Sequence, residues 1–231
     1  MVSTSNKIVI LWNEFHKFYG KKDFKKIPEI MDKIIQIKYD DQYAYMYKAY
    51  ALDELKQYEE SLKCLDIALN IDKKFIRALN IKGCVFVNLK KFNKAIQCYD
   101  KALEIDPTYF RALANKGNAL YELGRFDESI QCYDKALEID LKDKKISYRK
   151  GNACFILEKF NKAIQCYDKA LEIDPTYFRA LANKGNALYE LDRFDESIQC
   201  YDKALEIDPR NNQILESKKE ALIRKNRDID N

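Results

Sequence analysis

Seven cysteines and a single histidine are the residues of this 231-residue chain best suited to redox, nucleophilic or metal chemistry. Five of the cysteines, Cys64, Cys98, Cys132, Cys166 and Cys200, recur every 34 residues. None forms a Cys-x-x-Cys pair, the spacing of metal and thiol-exchange sites. Cys84 and Cys154 stand apart from that series and read as packing residues. His16 is the one candidate base or imidazole ligand, with no second histidine to share a metal. Two copies of Gly-Asn-Ala-Leu-Tyr-Glu, starting at Gly117 and Gly185, place their glycine inside a helical pattern, which rules out a phosphate-cradling loop. The Phe-Asp-Glu-Ser segments lack the alternating oxygen ligands of a calcium loop. They read as helix starts, where carboxylates suit the dipole. No catalytic residue, metal ligand or cofactor is expected, and the chain is not expected to be an enzyme.

The elements behind these residues are helical. Only 6 Gly and 4 Pro punctuate the chain, too few for the turns of an all-β sandwich. Hydrophobic residues make up 47%, enough for a core, against 34% charged. The longest apolar run near the start, residues 8–12, is too short for a signal sequence or membrane span. Residues 91–140 and 159–208 are identical except for Gly124 against Asp192, at an offset of 68, twice 34. With Gly83, Gly117, Gly151 and Gly185 at position 8, the units are 8–41 (degenerate), 42–75, 76–109, 110–143, 144–177 and 178–211. Position 17 is aromatic in all six, from Phe24 to Phe194. Position 24 is Tyr99, Tyr133, Tyr167 and Tyr201, and position 27 is alanine from Ala68 onward.

Each unit predicts two helices. In 110–143, Leu113, Gly117, Leu120 and Leu123 recur at helical spacing, as do Phe126, Ile130, Tyr133 and Leu137. A polar turn at Gly124-Arg125 separates them, Asp127 is a candidate cap for the second, and Pro107, Pro175 and Pro209 close second helices. Pro28 fits a first turn and puts that helix start near Lys26. One hairpin cannot bury its faces alone, so neighbours must stack. Thiols one unit apart then lie about 8–10 Å from each other, beyond disulfide reach, so position 23 reads as a ladder of half-buried packing residues. Residues 212–226 continue as a capping helix, with Lys219 in place of the small residue. Residues 1–7 and 227–231 are expected to be a flexible start and tail.

The period, the glycine at 8, the aromatic at 17, the alanine at 27 and the proline at 32 resemble the tetratricopeptide repeat family over about nine-tenths of the chain. That resemblance implies an all-α solenoid of stacked helix-turn-helix repeats in a right-handed superhelix. It also implies a non-catalytic protein-interaction module whose first helices line a concave groove. Positions 2, 5, 6, 9, 12 and 13 would face that groove. Carried over, these give Arg77, Arg111, Lys145 and Arg179 at position 2. They give Asn115, Arg149 and Asn183 at position 6, and Asn118, Asn152 and Asn186 at position 9. Tyr121, Phe155 and Tyr189 stand at position 12. The expected groove is basic along one edge, amide-lined in the middle and aromatic beside that. Asparagine amides could pair with an extended backbone and arginine could grip carboxylates. A carboxylate clamp known in the family is matched at three of five positions, by Asn115, Lys145 and Arg149. Asn80 and Cys84 stand where its other lysine and asparagine belong.

The expected partner is a protein or peptide, acidic because of the position-2 cations. The alternative is a nucleic-acid-binding helical repeat protein. It is disfavoured because 37 acids are interspersed among 41 bases, for a net charge of +4 and a pI near 8.5. No membrane partner is expected. A monomer is favoured over a lateral dimer, and seven unpaired thiols suit a reducing, cytoplasmic location.

Overall fold

The computed structural model describes residues 4–229, and among them it contains thirteen α-helices and no strand. They are α1 (Thr4–Gly20), α2 (Ile27–Ile37), α3 (Gln42–Glu54), α4 (Tyr58–Ile71), α5 (Ile76–Asn88), α6 (Phe92–Ile105), α7 (Phe110–Glu122), α8 (Phe126–Ile139), α9 (Lys144–Ile156), α10 (Phe160–Ile173), α11 (Phe178–Tyr189), α12 (Phe194–Ile207) and α13 (Asn212–Ile229). Odd-numbered helices are the first helices of the repeats and even-numbered ones the second. Consecutive helices pack, as α3 on α4, α4 on α5, α9 on α10 and α12 on α13. First helices also touch across repeats, α3 with α5 and α9 with α11. The chain divides into two compact units, Met1–Ala119 and Leu120–Asn231.

The hairpin is set by a glycine under a tyrosine. Tyr99, Tyr167 and Tyr201 are almost fully buried, and each ring lies on the glycine one helix back. A Cβ at Gly83, Gly151 or Gly185 would stand 2.3–2.5 Å from that ring. Where position 8 is larger, position 24 is no longer tyrosine: Ala49 goes with Leu65, and Phe15 with Met31, all buried. The two positions share one volume, as a close-packed interior requires. Buried serines tie the same helices together: Ser61 Oγ donates to the carbonyl of Ala49, and Ser197 Oγ to that of Gly185, both at 2.8 Å.

Position 15 ends each first helix in the left-handed region. Lys22, Lys56, Lys90, Glu158 and Asp192 have φ of 55–62°, and Gly124 has 73°. The following amide then reaches back five residues, as Lys91 N to Phe86 O at 2.8 Å and Arg193 N to Leu188 O at 3.0 Å. This closes the orphan carbonyls of the helix end in a Schellman motif. A need for left-handed backbone, blurred in the sequence by lysine and glutamate, is therefore met in every repeat.

A second recurring device was not anticipated. From the second repeat to α13, the position-7 lysine reaches the position-25 aspartate of the repeat before it. The pairs are Lys48–Asp32, Lys82–Asp66, Lys116–Asp100, Lys150–Asp134, Lys184–Asp168 and Lys218–Asp202. The aspartates are about half exposed, so each pair contributes only ~0.2–1 kcal/mol. Their repetition fixes register between neighbouring repeats.

Several expectations are corrected. Thr4–Lys7, expected to be flexible, open α1, and α13 runs past 226 to Ile229; residues 1–3 and 230–231 lie outside the described residues. Asp127 does not cap α8. It sits in the first turn, makes no cap hydrogen bond there, and pairs instead with Lys159 at 2.8 Å. Side-chain caps occur at Asp41 and Asp143, each accepting from two backbone amides. The position-23 cysteines are buried rather than half-buried. The start of α2 is as expected: Lys26 is its N-cap, the helix begins at Ile27, and Pro28 lies in its first turn. On α13, the expected capping helix, Leu215, Leu222 and Ile223 are all about 40% exposed.

Candidate functional site

In the first unit, first-helix side chains enclose a cavity of about 840 Å³. Tyr19 on α1, Tyr47 and Tyr50 on α3, and Tyr109 with Phe110 at the start of α7 supply an aromatic lining. Arg77 and Arg111 supply the positive charge, and Asp53 is the carboxylate among the lining residues. Asp53 is 8% exposed and accepts from Asn88 Nδ2 at 2.9 Å. Burial pushes its carboxyl above the ordinary aspartate range, the Asn88 hydrogen bond opposing this only in part. Burial likewise pushes the Tyr50 hydroxyl up to about 12, so it remains a donor at neutral pH. Tyr47, Tyr109 and Phe110 were not among the predicted site residues. They stand at positions 6, 34 and 1; Phe75 and Tyr177 at position 34 and Phe178 at position 1 could have drawn notice, whereas Tyr47 has no aromatic counterpart at position 6.

The second unit holds smaller cavities. One of about 420 Å³ is lined by Tyr121, Glu122, Tyr133, Lys145, Tyr148, Arg149, Asn152, Tyr177 and Arg179. Phe155, Asn183, Asn186 and Tyr189 line two further cavities between α9, α11 and α13. Twelve of the thirteen predicted site residues therefore line cavities within one unit or the other. Asn118, the thirteenth, is half-buried on α7.

The asparagines also bond within the fold. Asn152 Oδ1 accepts from the buried Tyr167 hydroxyl at 3.0 Å and from Asn183 Nδ2 at 2.9 Å. Asn186 Oδ1 accepts from Tyr201 at 2.8 Å. Position 9 thus supplies the acceptor that a buried tyrosine hydroxyl requires. A peptide backbone would have to compete with these bonds. In the third repeat Cys84 takes that role, accepting from Tyr99 at 3.6 Å and from Asn115 Nδ2 at 3.4 Å. Asn115 also donates to the buried Asn80 Oδ1 at 3.2 Å. Asn80, Cys84 and Asn115 satisfy one another, so the residues at these three clamp positions are bonded among themselves.

The position-12 aromatics are braced from behind. Tyr121, Phe155 and Tyr189 meet Phe126, Phe160 and Phe194 edge-on, with centroids 5.2–5.6 Å apart, and stay half-exposed. Tyr189 also donates to Glu220 at 2.9 Å. Arg149 hydrogen-bonds the hydroxyl of buried Tyr133. The position-2 cations differ from all of these. Arg77, Arg111, Lys145 and Arg179 are exposed, and among the described residues no ion pair or hydrogen bond engages their side chains.

His16 is exposed, its ring 5.1 Å from that of Phe15. Among the described residues no group of three or more His, Cys, Asp or Glu side chains could hold a metal ion. Among them, too, no helix is long and apolar enough to cross a membrane. One thiol pair escaped the sequence reading, which considered contacts between repeats. Cys154 and Cys166, on the two helices of one hairpin, hydrogen-bond each other, which holds the Cys154 thiol below the ordinary range and Cys166 above it.

Two family models match this chain. One described as TPR repeat covers residues 83–124 and 151–192, and one described as tetratricopeptide repeat covers 110–143 and 178–211. Together they span just over half of the residues, and the chain belongs to the tetratricopeptide repeat family, whose members are in general non-catalytic protein-interaction scaffolds. Among solved structures, pilF of Pseudomonas aeruginosa is similar at a TM-score of 0.80 and 14% identity, covering 94% of this chain and 99% of its own. YrrB, described as a TPR protein with an unusual peptide-binding site, matches at a TM-score of 0.71 and 22% identity, over 82% of this chain and 97% of that one. The C-terminal part of a TPR repeat-containing protein from Cytophaga hutchinsonii matches at 0.75 and 21%, over 90% and 84%. At these identities the likeness is one of fold. A search of curated protein sequences finds no match.

Proposed function

We propose that this chain is a non-catalytic adaptor that takes an acidic segment of a partner protein on its first helices. The observation that carries this reading is the division among the recurring cations. Position-7 lysines are all neutralised by the preceding repeat. Position-2 cations have no ion pair or side-chain hydrogen bond among the described residues, and in the second unit Lys145 and Arg179 share a cavity with the half-exposed, braced Tyr121. Exposed cations that the fold does not use are free to meet carboxylates, and rigid aromatic anchors lose little entropy on binding. Each exposed ion contact contributes only ~0.2–1 kcal/mol, so affinity is expected to be about micromolar and to weaken as salt rises. The peptide-binding site described for YrrB is consistent with such a use of the fold. The free thiols suit a reducing compartment such as the cytoplasm.

The test begins with affinity purification and mass spectrometry to identify a partner, followed by trimming to its binding segment. Reversal of Arg111, Lys145 and Arg179 to glutamate should abolish binding of that segment in fluorescence anisotropy and leave the helical circular dichroism intact. Full binding by the triple variant would sink the proposal and redirect attention to the second helices or to α1.

A further inference from the structure

The 420 Å³ cavity of the second unit is chemically unlike the larger cavity of the first. Three cations, Lys145, Arg149 and Arg179, line it together with the tyrosines 121, 133, 148 and 177. Glu122 is the carboxylate among its lining residues. The acid next to Tyr177, Asp174, is already held by Lys144 at 2.5 Å, and that lysine also lies over the Tyr177 ring. Arg149 is braced by the Tyr133 hydroxyl. The Tyr148 hydroxyl oxygen accepts from Asn183 Nδ2 at 3.2 Å, which leaves its own hydrogen to donate elsewhere. Burial raises the hydroxyls of Tyr121, Tyr133 and Tyr177, keeping them protonated donors.

Three positive charges against one negative leave an excess of about two. A single carboxylate brings one charge and two oxygens, and leaves that excess half unmet. A phosphomonoester brings about −1.5 to −2 near neutral pH and three strong acceptor oxygens. Planar guanidinium forks and an ammonium point charge are the usual complement of such a group. The lining aromatics would pack the methylenes that carry it. The cavity of the first unit, with apolar Met46 and Ile81, offers only Arg77 and Arg111 against Asp53.

We infer that the cavity between α9 and the start of α11 is a phosphomonoester site, and that it selects a phosphorylated side chain within the partner segment. This rests on the adaptor reading above and gives it a ligand chemistry. The same group on a free small molecule would present the same oxygens, so the test separates the two sources.

The full chain is titrated by fluorescence anisotropy with three short degenerate peptide pools whose central residue is phosphoserine, glutamate or serine. Free O-phosphoserine serves as competitor. The phosphoserine pool should bind about tenfold or more tighter than the glutamate pool near pH 7, and the margin should shrink near pH 5, where the ester is mostly monoanionic. The double variant Lys145→Gln, Arg179→Gln should lose the preference with unchanged circular dichroism, because neither side chain has a structural partner. Lys169→Gln, an exposed lysine outside the cavity, should keep it. A phosphoserine pool no tighter than the glutamate pool, or a preference that survives in the double variant, overturns the inference. Equal binding of both acidic pools would leave the acidic-segment reading standing alone. Binding of free O-phosphoserine as tight as that of any pool would keep the anion site and remove its peptide. No binding by any probe would remove both.

Discussion

Adding one methyl group at Gly151 tests the packing rule on which the hairpins depend. The new Cβ would stand 2.5 Å from Tyr167 Cε1 and 2.7 Å from Cδ1, about 1 Å inside ordinary contact. The ring cannot retreat freely, because it is fully buried and its hydroxyl is bonded to Asn152. Overpacking of this kind costs about 1–3 kcal/mol, and loss of the hydroxyl bond adds about 1. Better helix propensity returns ~1 kcal/mol. Gly151→Ala should therefore destabilise by about 1–3 kcal/mol. Tyr167→Leu alone should cost about 2–3 kcal/mol through the vacated volume and the lost bond. Together they recreate the Ala49/Leu65 pairing of the second repeat, and the double variant should be no worse than the poorer single, a coupling of about 1–3 kcal/mol. Urea unfolding followed by circular dichroism gives the energies, and amide exchange localises the loss to residues 144–177, since repeat arrays need not unfold in two states. A neutral or stabilised Gly151→Ala, or two singles that simply add, would refute the shared-volume argument.

Other consequences follow from single positions. Lys90→Gly and Asp192→Gly should each stabilise by up to about 1 kcal/mol and Gly124→Asp should cost a similar amount, because position 15 is left-handed in every repeat; urea midpoints that move the other way would contradict the Schellman assignment. Asp53 has a raised folded pKa, so whatever stability it contributes is present below its unfolded pKa and lost as pH rises through the folded one. Asp53→Asn keeps the acceptor for Asn88, and should stabilise at neutral pH with a gain that vanishes near pH 3; a pH-independent effect would exclude this origin. Tyr133→Ala should cost about 3–5 kcal/mol and Arg111→Ala under about 0.5, one side chain being fully buried and the other exposed; comparable losses in thermal or urea unfolding would overturn the assignment of faces.

Period, helix pairing and the tyrosine core are legible in the sequence, because each is a periodic choice of residue size. Position 15 is harder to read: three lysines, a glutamate and an aspartate occupy a left-handed position, and only Gly124 advertises it. The lysine–aspartate register pairs were visible in principle, since positions 7 and 25 recur together six times. Nothing in one repeat shows that they meet, because each pair joins two repeats. The bonds of the asparagines within the fold were hidden for a related reason. Their amides look like ligand donors until the neighbouring tyrosine hydroxyl, fifteen residues on, is known to end beside them. The same holds in the carboxylate-clamp match, where Asn115 donates to Asn80 and Cys84. The cations at position 2, expected along one edge of a groove, are exposed, and what they bind is written in no single residue.

Near-identical repeats cannot specify a ligand where they are identical, so specificity must reside where the copies differ. α7 and α11 share the run Phe-Arg-Ala-Leu-Ala-Asn-Lys-Gly-Asn-Ala-Leu-Tyr, and α9 between them departs from it at Lys144, Lys145, Ile146, Ser147, Tyr148, Arg149, Cys154 and Phe155. Two of these changes are an internal exchange of size. Ile146 stands where Ala112 and Ala180 do, and Ser147 where Leu113 and Leu181 do, all buried. The exchange leaves Ser147 Oγ buried without a hydrogen-bond partner, which costs about 1–3 kcal/mol. Other changes, Tyr148 and Arg149, line the cationic cavity. α9 has thus given up stability on its buried side and gained charge and hydroxyls on its open side. Giving α9 the sequence of α11 over residues 144–155 should raise the urea midpoint while removing any preference for the phosphoserine pool, because position 2 keeps a cation but Tyr148 and Arg149 are gone. A transplant that is less stable, or that still prefers phosphoserine, would show that the departures in α9 are drift and not a binding site.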